Sequence, residues 1–223
     1  MSFSIYQPNP PSSPNNHRHL QEGIVVYTGP MKSGKSEAVI RNLKRYWYAG
    51  VKTALFSPIL DDRYSKTEVI THSRISHPAI KINNPQEIYD HIQTENNEPI
   101  AIGIDESMMF NSDLIPVCSN LRREGHPIFL SCCDMDVFLN PFKMRDWQEG
   151  LNETVIGNLL AIANKVYKLT AICEFNENGH ICGNEASYTR LREGINEAEF
   201  LEGIVVGVDS YQTVCGIHHP FLK

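Results

Sequence analysis

The apolar positions of this chain fall into short dense runs separated by amphipathic stretches. Residues 23–28, GIVVYT, form a β-branched run without charge, the pattern of a strand buried on both faces. A glycine-rich turn follows. Residues 36–50, SEAVIRNLKRYWYAG, then carry apolar residues at helical spacing and end on glycine, a helix stop. Residues 52–57, KTALFS, read as a second strand, and residues 58–80 show no clear period and read as a long loop. Pro85 opens a helix expected to run to about Thr94. PIAIGID (99–105) is another buried strand with two acids at its end. SDLIPVCSNLRREG (112–125) reads as a helix with Pro116 early in it, and HPIFLSCC (126–133) as a fourth strand. Strands alternating with helices predict an α/β fold, a parallel sheet with helices on both faces.

The pattern breaks at both ends. Residues 1–22 are rich in Pro, Asn and Ser and hold few large apolar side chains, so they read as a disordered arm. After residue 163 the helical spacing stops. Residues 165–173 and 186–192 read as two strands joined by a polar insert, and a glycine-containing loop (194–211) leads to Cys215. The expected organisation is an arm (1–22), an α/β domain (23–163) and a small antiparallel appendage (164–223).

Composition narrows the function. Lys plus Arg is 20 against 26 for Asp plus Glu, a net charge of −6, which argues against a polynucleotide partner. No stretch approaches the roughly 18 apolar residues of a membrane span, and the N-terminus lacks the apolar segment of a signal peptide, so the expectation is a cytoplasmic protein without a membrane partner. Of the six cysteines, Cys118, Cys132 and Cys133 sit in apolar runs and read as buried thiols. Cys173, Cys182 and Cys215 lie near glycines and histidines, which suggests a metal rather than disulfides.

The chemistry concentrates in residues 29–36, GPMKSGKS, which match G-x-x-x-x-G-K-[ST]. Gly29, Pro30, Met31, Lys32, Ser33 and Gly34 would curl backbone N–H groups around phosphate oxygens, with the dipole of the following helix behind them. Lys35 would reach the β- and γ-phosphates of ATP, and the Ser36 hydroxyl would hold Mg²⁺. A second carboxylate for Mg²⁺ is needed after a buried strand, and Asp105 meets that need. Glu106 follows and can accept the proton of an attacking hydroxyl. The bland alternative for this acid pair is two solvated loop carboxylates.

These residues together resemble the thymidine kinase family. The loop GPMKSGKS looks like that family's, with Lys32 where an aromatic is usual. PILDDRYS (58–65) is similar to its P-x-x-D-x-R-Y-S segment, with His72 following, and Asp105 and Glu106 match its strand-end acids. TAIC ending at Cys173, ASYTR (186–190) and YQTVCGIH (211–218) resemble its zinc-bearing lasso. The resemblance spans residues 23–219. It implies transfer of the ATP γ-phosphate to a deoxynucleoside 5′-hydroxyl, with Glu106 as general base and Lys35 and Arg63 on phosphoryl oxygens. Asp61 would lie near the metal or orient Arg63. The nucleoside pocket would take Met109, Cys133, Val137, Phe142, Thr189 and Tyr211, with the backbone of Ile204, Val205, Val206 and Gly207 reading the base edge. Structural Zn²⁺ would be held by Cys173, Cys182, Cys215 and His218, with His180 and His219 as competing ligands, and the family commonly forms homotetramers.

The departures lie in the pocket. Met108 and Met109 stand where the family usually has Gln and an aromatic, and Cys133 and Val137 where it has Leu and Phe. One glycine replaces two in residues 205–208. Two rivals therefore remain beside a thymidine or deoxyuridine kinase: a kinase for another deoxynucleoside, and a non-catalytic nucleotide-binding regulator derived from the family. The second is disfavoured because a regulator has no need to keep Glu106.

Overall fold

The computed structural model describes residues 23–59, 68–70, 76–94, 98–192, 194 and 210–222. The N-terminal arm, Asp61, Arg63, His72 and residues 204–207 lie outside the described residues.

Six strands form one parallel sheet. They are β1 (Ile24–Thr28), β2 (Lys52–Pro58), β5 (Ile80–Ile82), β6 (Ile100–Ile104), β7 (Ile128–Cys132) and β8 (Lys165–Lys168), in the order β5-β2-β6-β7-β1-β8. β1 runs beside β7 from Ile24 opposite Ile128 to Thr28 opposite Cys132, and Phe56 of β2 lies opposite Ile104 of β6. Two short strands between β2 and β5, β3 (Glu68–Ile70) and β4 (Ser76–Pro78), pair as an antiparallel ribbon within the stretch expected to be loop.

The dense apolar runs follow from burial on both faces. Ile24, Val26, Phe56, Ile102, Ile104 and Leu130 face helices α2 (Gln86–Gln93), α3 (Leu114–Arg123) and α4 (Ile156–Ile162). The intervening Val25, Leu55, Ala101 and Phe129 face α1 (Lys35–Tyr48), meeting Val39, Ile40 and Leu43. The two-residue alternation of a strand thus divides one apolar run between two cores. Buried Lys35, Val39, Asn42 and Leu43 fall at i, i+4, i+7 and i+8, one stripe of a helix. Pro116 is tolerated because it lies in the first turn of α3, where an N–H has no helical partner.

Residues 165–173, expected as one strand of the appendage, divide at Leu169. β8 joins the parallel sheet beside β1, and the Leu169 N–H donates to the Thr28 carbonyl at 2.7 Å. Beyond it, β9 (Ala171–Ile172) pairs with β12 (Glu185–Ala186), β10 (Asn176–Glu177) with β11 (His180–Ile181), and β13 (Tyr188–Leu191) with β14 (Tyr211–Val214), all antiparallel. Because β8 lies next to β1, the chain enters this small module beside the loop that follows β1.

Cys118 and Cys132 are fully buried, and burial pushes each thiol up to about 12. They act as small apolar side chains. His126, buried before β7, accepts the Ile100 N–H on Nδ1 at 3.1 Å. Burial holds its pKa below the ordinary 6.5, opposed in part by Glu124, and burial lowers His77 likewise. A histidine depressed in the folded state stays neutral there while the unfolded chain takes up its proton. Its contribution is therefore complete above about pH 6.5 and is lost as pH falls below that value. Urea unfolding followed from pH 7.5 to 5 should show stability declining below about pH 6.5, with a shallower decline in His126→Gln. An equal slope in that variant contradicts the assignment.

Candidate functional site: a phosphate loop facing two strand-end acids

The turn between β1 and α1 has the backbone of a phosphate cradle. Gly29 has φ of +137°, and a Cβ there would come within 2.2 Å of the Leu169 carbonyl oxygen, so only glycine fits. Gly34, at φ +82°, is the N-cap of α1, and Lys32 is left-handed at φ +58°. Lys35 is buried, and its Nζ donates to the Pro30 carbonyl at 2.6 Å, spanning the loop. Ser33 Oγ donates to the same carbonyl at 2.8 Å. The loop therefore curls around its own lysine at the start of a helix, an arrangement suited to an anion. A cleft of about 540 Å³ borders Lys32, Ser33 and Gly34 on one side and Thr170, Ala171, Ile172 and Glu185 on the other.

The acids of β6 meet this loop directly. Ser36 Oγ donates to Asp105 Oδ1 at 2.8 Å. Ser131 Oγ, from the end of β7, donates to the same oxygen and accepts the Glu106 N–H at 3.1 Å. The Asp105 N–H in turn donates to the Phe56 carbonyl at 2.8 Å. Asp105 is buried, Glu106 half-buried. Glu106 has φ +48° and ψ +46° and starts the short 3₁₀ turn Ser107–Met109. The left-handed region costs a residue with a Cβ about 1 kcal/mol or more, and such strain persists where surroundings over-determine it. Ser131 was missed from the sequence. Its one trace there is a hydroxyl closing the apolar run PIFL.

Several pocket candidates gather around the same centre. Burial raises the pKa of Cys133, Lys35 opposes the rise, and Glu106 adds to it, so these three lie within electrostatic reach of one another. Met109 follows Glu106 and donates its N–H to the Glu106 carbonyl at 2.9 Å. Val137 is buried, and Phe142 packs on the core that includes Cys133. Thr189 Oγ1 accepts the Met31 N–H at 3.1 Å, so this residue touches the loop itself. Tyr211 is half-buried on β14, opposite Leu191.

The small module contains a compact donor set. Ligand atoms of Cys173, Cys182, Cys215 and His218 all lie within 4.8 Å of one another. His218 Nδ1 is 3.5 Å from Cys173 Sγ and 3.4 Å from Cys215 Sγ. Sulfurs bound tetrahedrally at about 2.3 Å stand roughly 3.8 Å apart, so the cluster is close to the span a zinc ion needs. Three thiols and one imidazole are a soft donor set that fits zinc. The competing histidines stand elsewhere. His180 is exposed on β11, and His219 is buried beside Tyr188 and Phe221. The long spacer between Cys173 and Cys182 is a hairpin. Asn178 and Gly179, at φ +53° and +87°, form its turn, and Cys182 N–H donates to the Phe175 carbonyl at 2.8 Å.

Comparison with solved structures finds a likeness to the ATPase DotB of Legionella pneumophila. The identity is 16% and the TM-score 0.31, covering 54% of this chain and 33% of that one, so this chain spans about a third of that ATPase's length. Among the described residues, no helix is long and apolar enough to cross a membrane. The sequence model of the thymidine kinase family matches residues 22–219. With that match running from the first strand through the last residue of the Cys₃His cluster, the chain belongs to the thymidine kinase family, a family of nucleoside kinases.

Proposed function

We propose that this protein transfers the γ-phosphate of ATP to the 5′-hydroxyl of a pyrimidine deoxynucleoside, thymidine first and deoxyuridine second. The observation that carries the reading is the junction at Asp105, where the phosphate-loop Ser36 and the strand-end Ser131 meet one carboxylate oxygen. Glu106 is tied to the same junction through its N–H. Loop, metal-binding carboxylate and candidate base are thereby held in one frame.

In this reading the loop backbone and Lys35 bind the triphosphate, and Ser36 and Asp105 are the residues that would hold Mg²⁺. When bound, that ion neutralises charge on the β- and γ-phosphate oxygens. The nucleoside 5′-oxygen attacks the γ-phosphorus as the bond to the β–γ bridging oxygen breaks, and ADP leaves. Glu106 accepts the hydroxyl proton. Arg63 and Asp61 are assigned to the phosphoryl group by family resemblance, and the backbone of 204–207 to the base edge. Cys173, Cys182, Cys215 and His218 would hold Zn²⁺ as a structural ion, since four protein ligands leave no open position. A homotetramer is the assembly that the family suggests.

The altered pocket favours loosened selectivity among pyrimidines. Val137 and Cys133 are smaller than the family's Phe and Leu, and backbone readout survives such changes. One methyl is worth only about 1–3 kcal/mol even in a good pocket. Weaker discrimination between thymidine and deoxyuridine follows, together with tolerance of a bulky 5-substituent.

Glu106→Gln should retain ATP binding while kcat falls by about 10²–10⁴. A near-normal kcat removes Glu106 from the role. Freshly purified, reduced protein should contain one zinc per chain by elemental analysis. Cys182→Ser should lose the metal and unfold at lower temperature, whereas His180→Ala should keep both. Absence of zinc, or loss in the His180 variant alone, contradicts the ligand set. In kcat/KM comparisons across thymidine, deoxyuridine, deoxycytidine and deoxyguanosine, the two uracil-type nucleosides should lead, and Val137→Phe should widen the gap between them. Preference for a purine overturns the substrate while leaving kinase activity to be judged by Glu106.

A further inference from the structure

Two residues at the crest of the phosphate loop, Met31 and Lys32, are held by the small Cys₃His module. The Met31 N–H donates to Thr189 Oγ1 on β13 at 3.1 Å. Lys32 Nζ lies 2.7 and 2.9 Å from the two carboxylate oxygens of Glu174, the residue after Cys173. Glu174 is itself fixed. Its N–H donates to the Thr213 carbonyl at 2.9 Å, its carbonyl accepts Gln212 Nε2 at 2.7 Å, and its carboxylate accepts the Thr213 N–H at 3.2 Å. Lys32 meanwhile sits at φ +58°, a left-handed conformation that crowds a residue with a Cβ. A strained residue at the crest of an anion-binding loop keeps its shape only where neighbours hold it there.

We propose that Glu174, acting through Lys32, is a positioning residue that holds the phosphate loop in the shape that receives ATP, joining the Cys₃His module to the nucleotide site. The inference rests on the kinase reading above. Lys32 and Glu174 stand 142 residues apart in sequence, yet both lie where a cradle of backbone N–H groups must be preformed. The Lys32 ammonium is directed to a protein carboxylate, and its contribution to the triphosphate is exerted through the backbone it anchors.

This role has a sign that separates it from simple charge competition. If Glu174 only competed with phosphate for Lys32, removing its charge would tighten ATP binding. If it braces the loop, removing its charge weakens binding. Calorimetric titration of the zinc-loaded full chain with Mg·ATP should show Glu174→Gln and Lys32→Met each raising Kd about two- to fivefold, the range for a partly exposed ion pair. The double variant should be no weaker than the poorer single one, because both remove the same contact. In steady-state assays of Glu174→Gln, KM for ATP should rise while KM for the nucleoside stays unchanged, and elemental analysis should still find zinc. Unchanged or tighter ATP binding by Glu174→Gln, additive losses in the double variant, or loss of zinc together with affinity overturns the brace. If the native protein itself fails to bind ATP, the kinase reading falls and the brace with it. Native binding matched by Glu174→Gln removes the brace alone.

Discussion

A carboxylate buried in a protein interior must be met by hydrogen-bond donors, or its desolvation costs several kcal/mol. Asp105 is such a group, and its partners determine what the rest of the molecule can be. One is Ser36, the second residue of α1. Another is Ser131, the fourth residue of β7. For both hydroxyls to reach one oxygen, the ends of β6 and β7 and the start of α1 must converge at the same edge of the sheet. The parallel order that puts β6 beside β7 and β7 beside β1 accomplishes this. The dense apolar runs in those strands supply the burial that stabilises that order, and the polar residues wait at their ends. Core and chemistry are therefore parts of one constraint.

The small module is attached to the same edge. β8 adds to β1, so the chain leaving the sheet at Leu169 passes against Gly29, where no side chain fits. The Cys₃His cluster lies in a segment whose buried apolar cluster, among the described residues, is Ala171, Cys173, Ala186, Val214 and Cys215. A core that small would gain from a metal held by those four residues of the Cys₃His cluster, since metal binding is coupled to folding. Through Thr189 and Glu174 the module then touches the phosphate loop.

Much of this was legible in the sequence because it is written in local patterns. β1, β2, β6 and β7 are runs of large apolar residues, and α1 and α3 show helical spacing and punctuation by glycine. The phosphate loop and acid pair are contiguous motifs in the expected strand, turn and helix context. Features that depend on distant neighbours were not legible. Residues 165–168 were legible as strand but not as part of the main sheet, because all four residues of β8 are exposed and only pairing with β1 places it there. α4 is seven residues long, too short for its period to stand out. The β10–β11 hairpin turns on Asn178 and Gly179, but its strands are two residues each, too short for any alternation to stand out in a polar, glycine-containing insert. Ser131 looks like any strand-end hydroxyl until Asp105 is brought to it, and nothing local in Lys32 points to Glu174.

The central claim is that the Asp105 junction serves phosphoryl transfer to a nucleoside. Product stoichiometry tests it most directly. With purified protein, Mg·ATP and thymidine, the account predicts ADP and thymidine 5′-monophosphate formed in equal amounts, with ATP consumption dependent on the nucleoside. ATP hydrolysis without a phosphorylated nucleoside, or ATP binding without turnover on any deoxynucleoside, would contradict it.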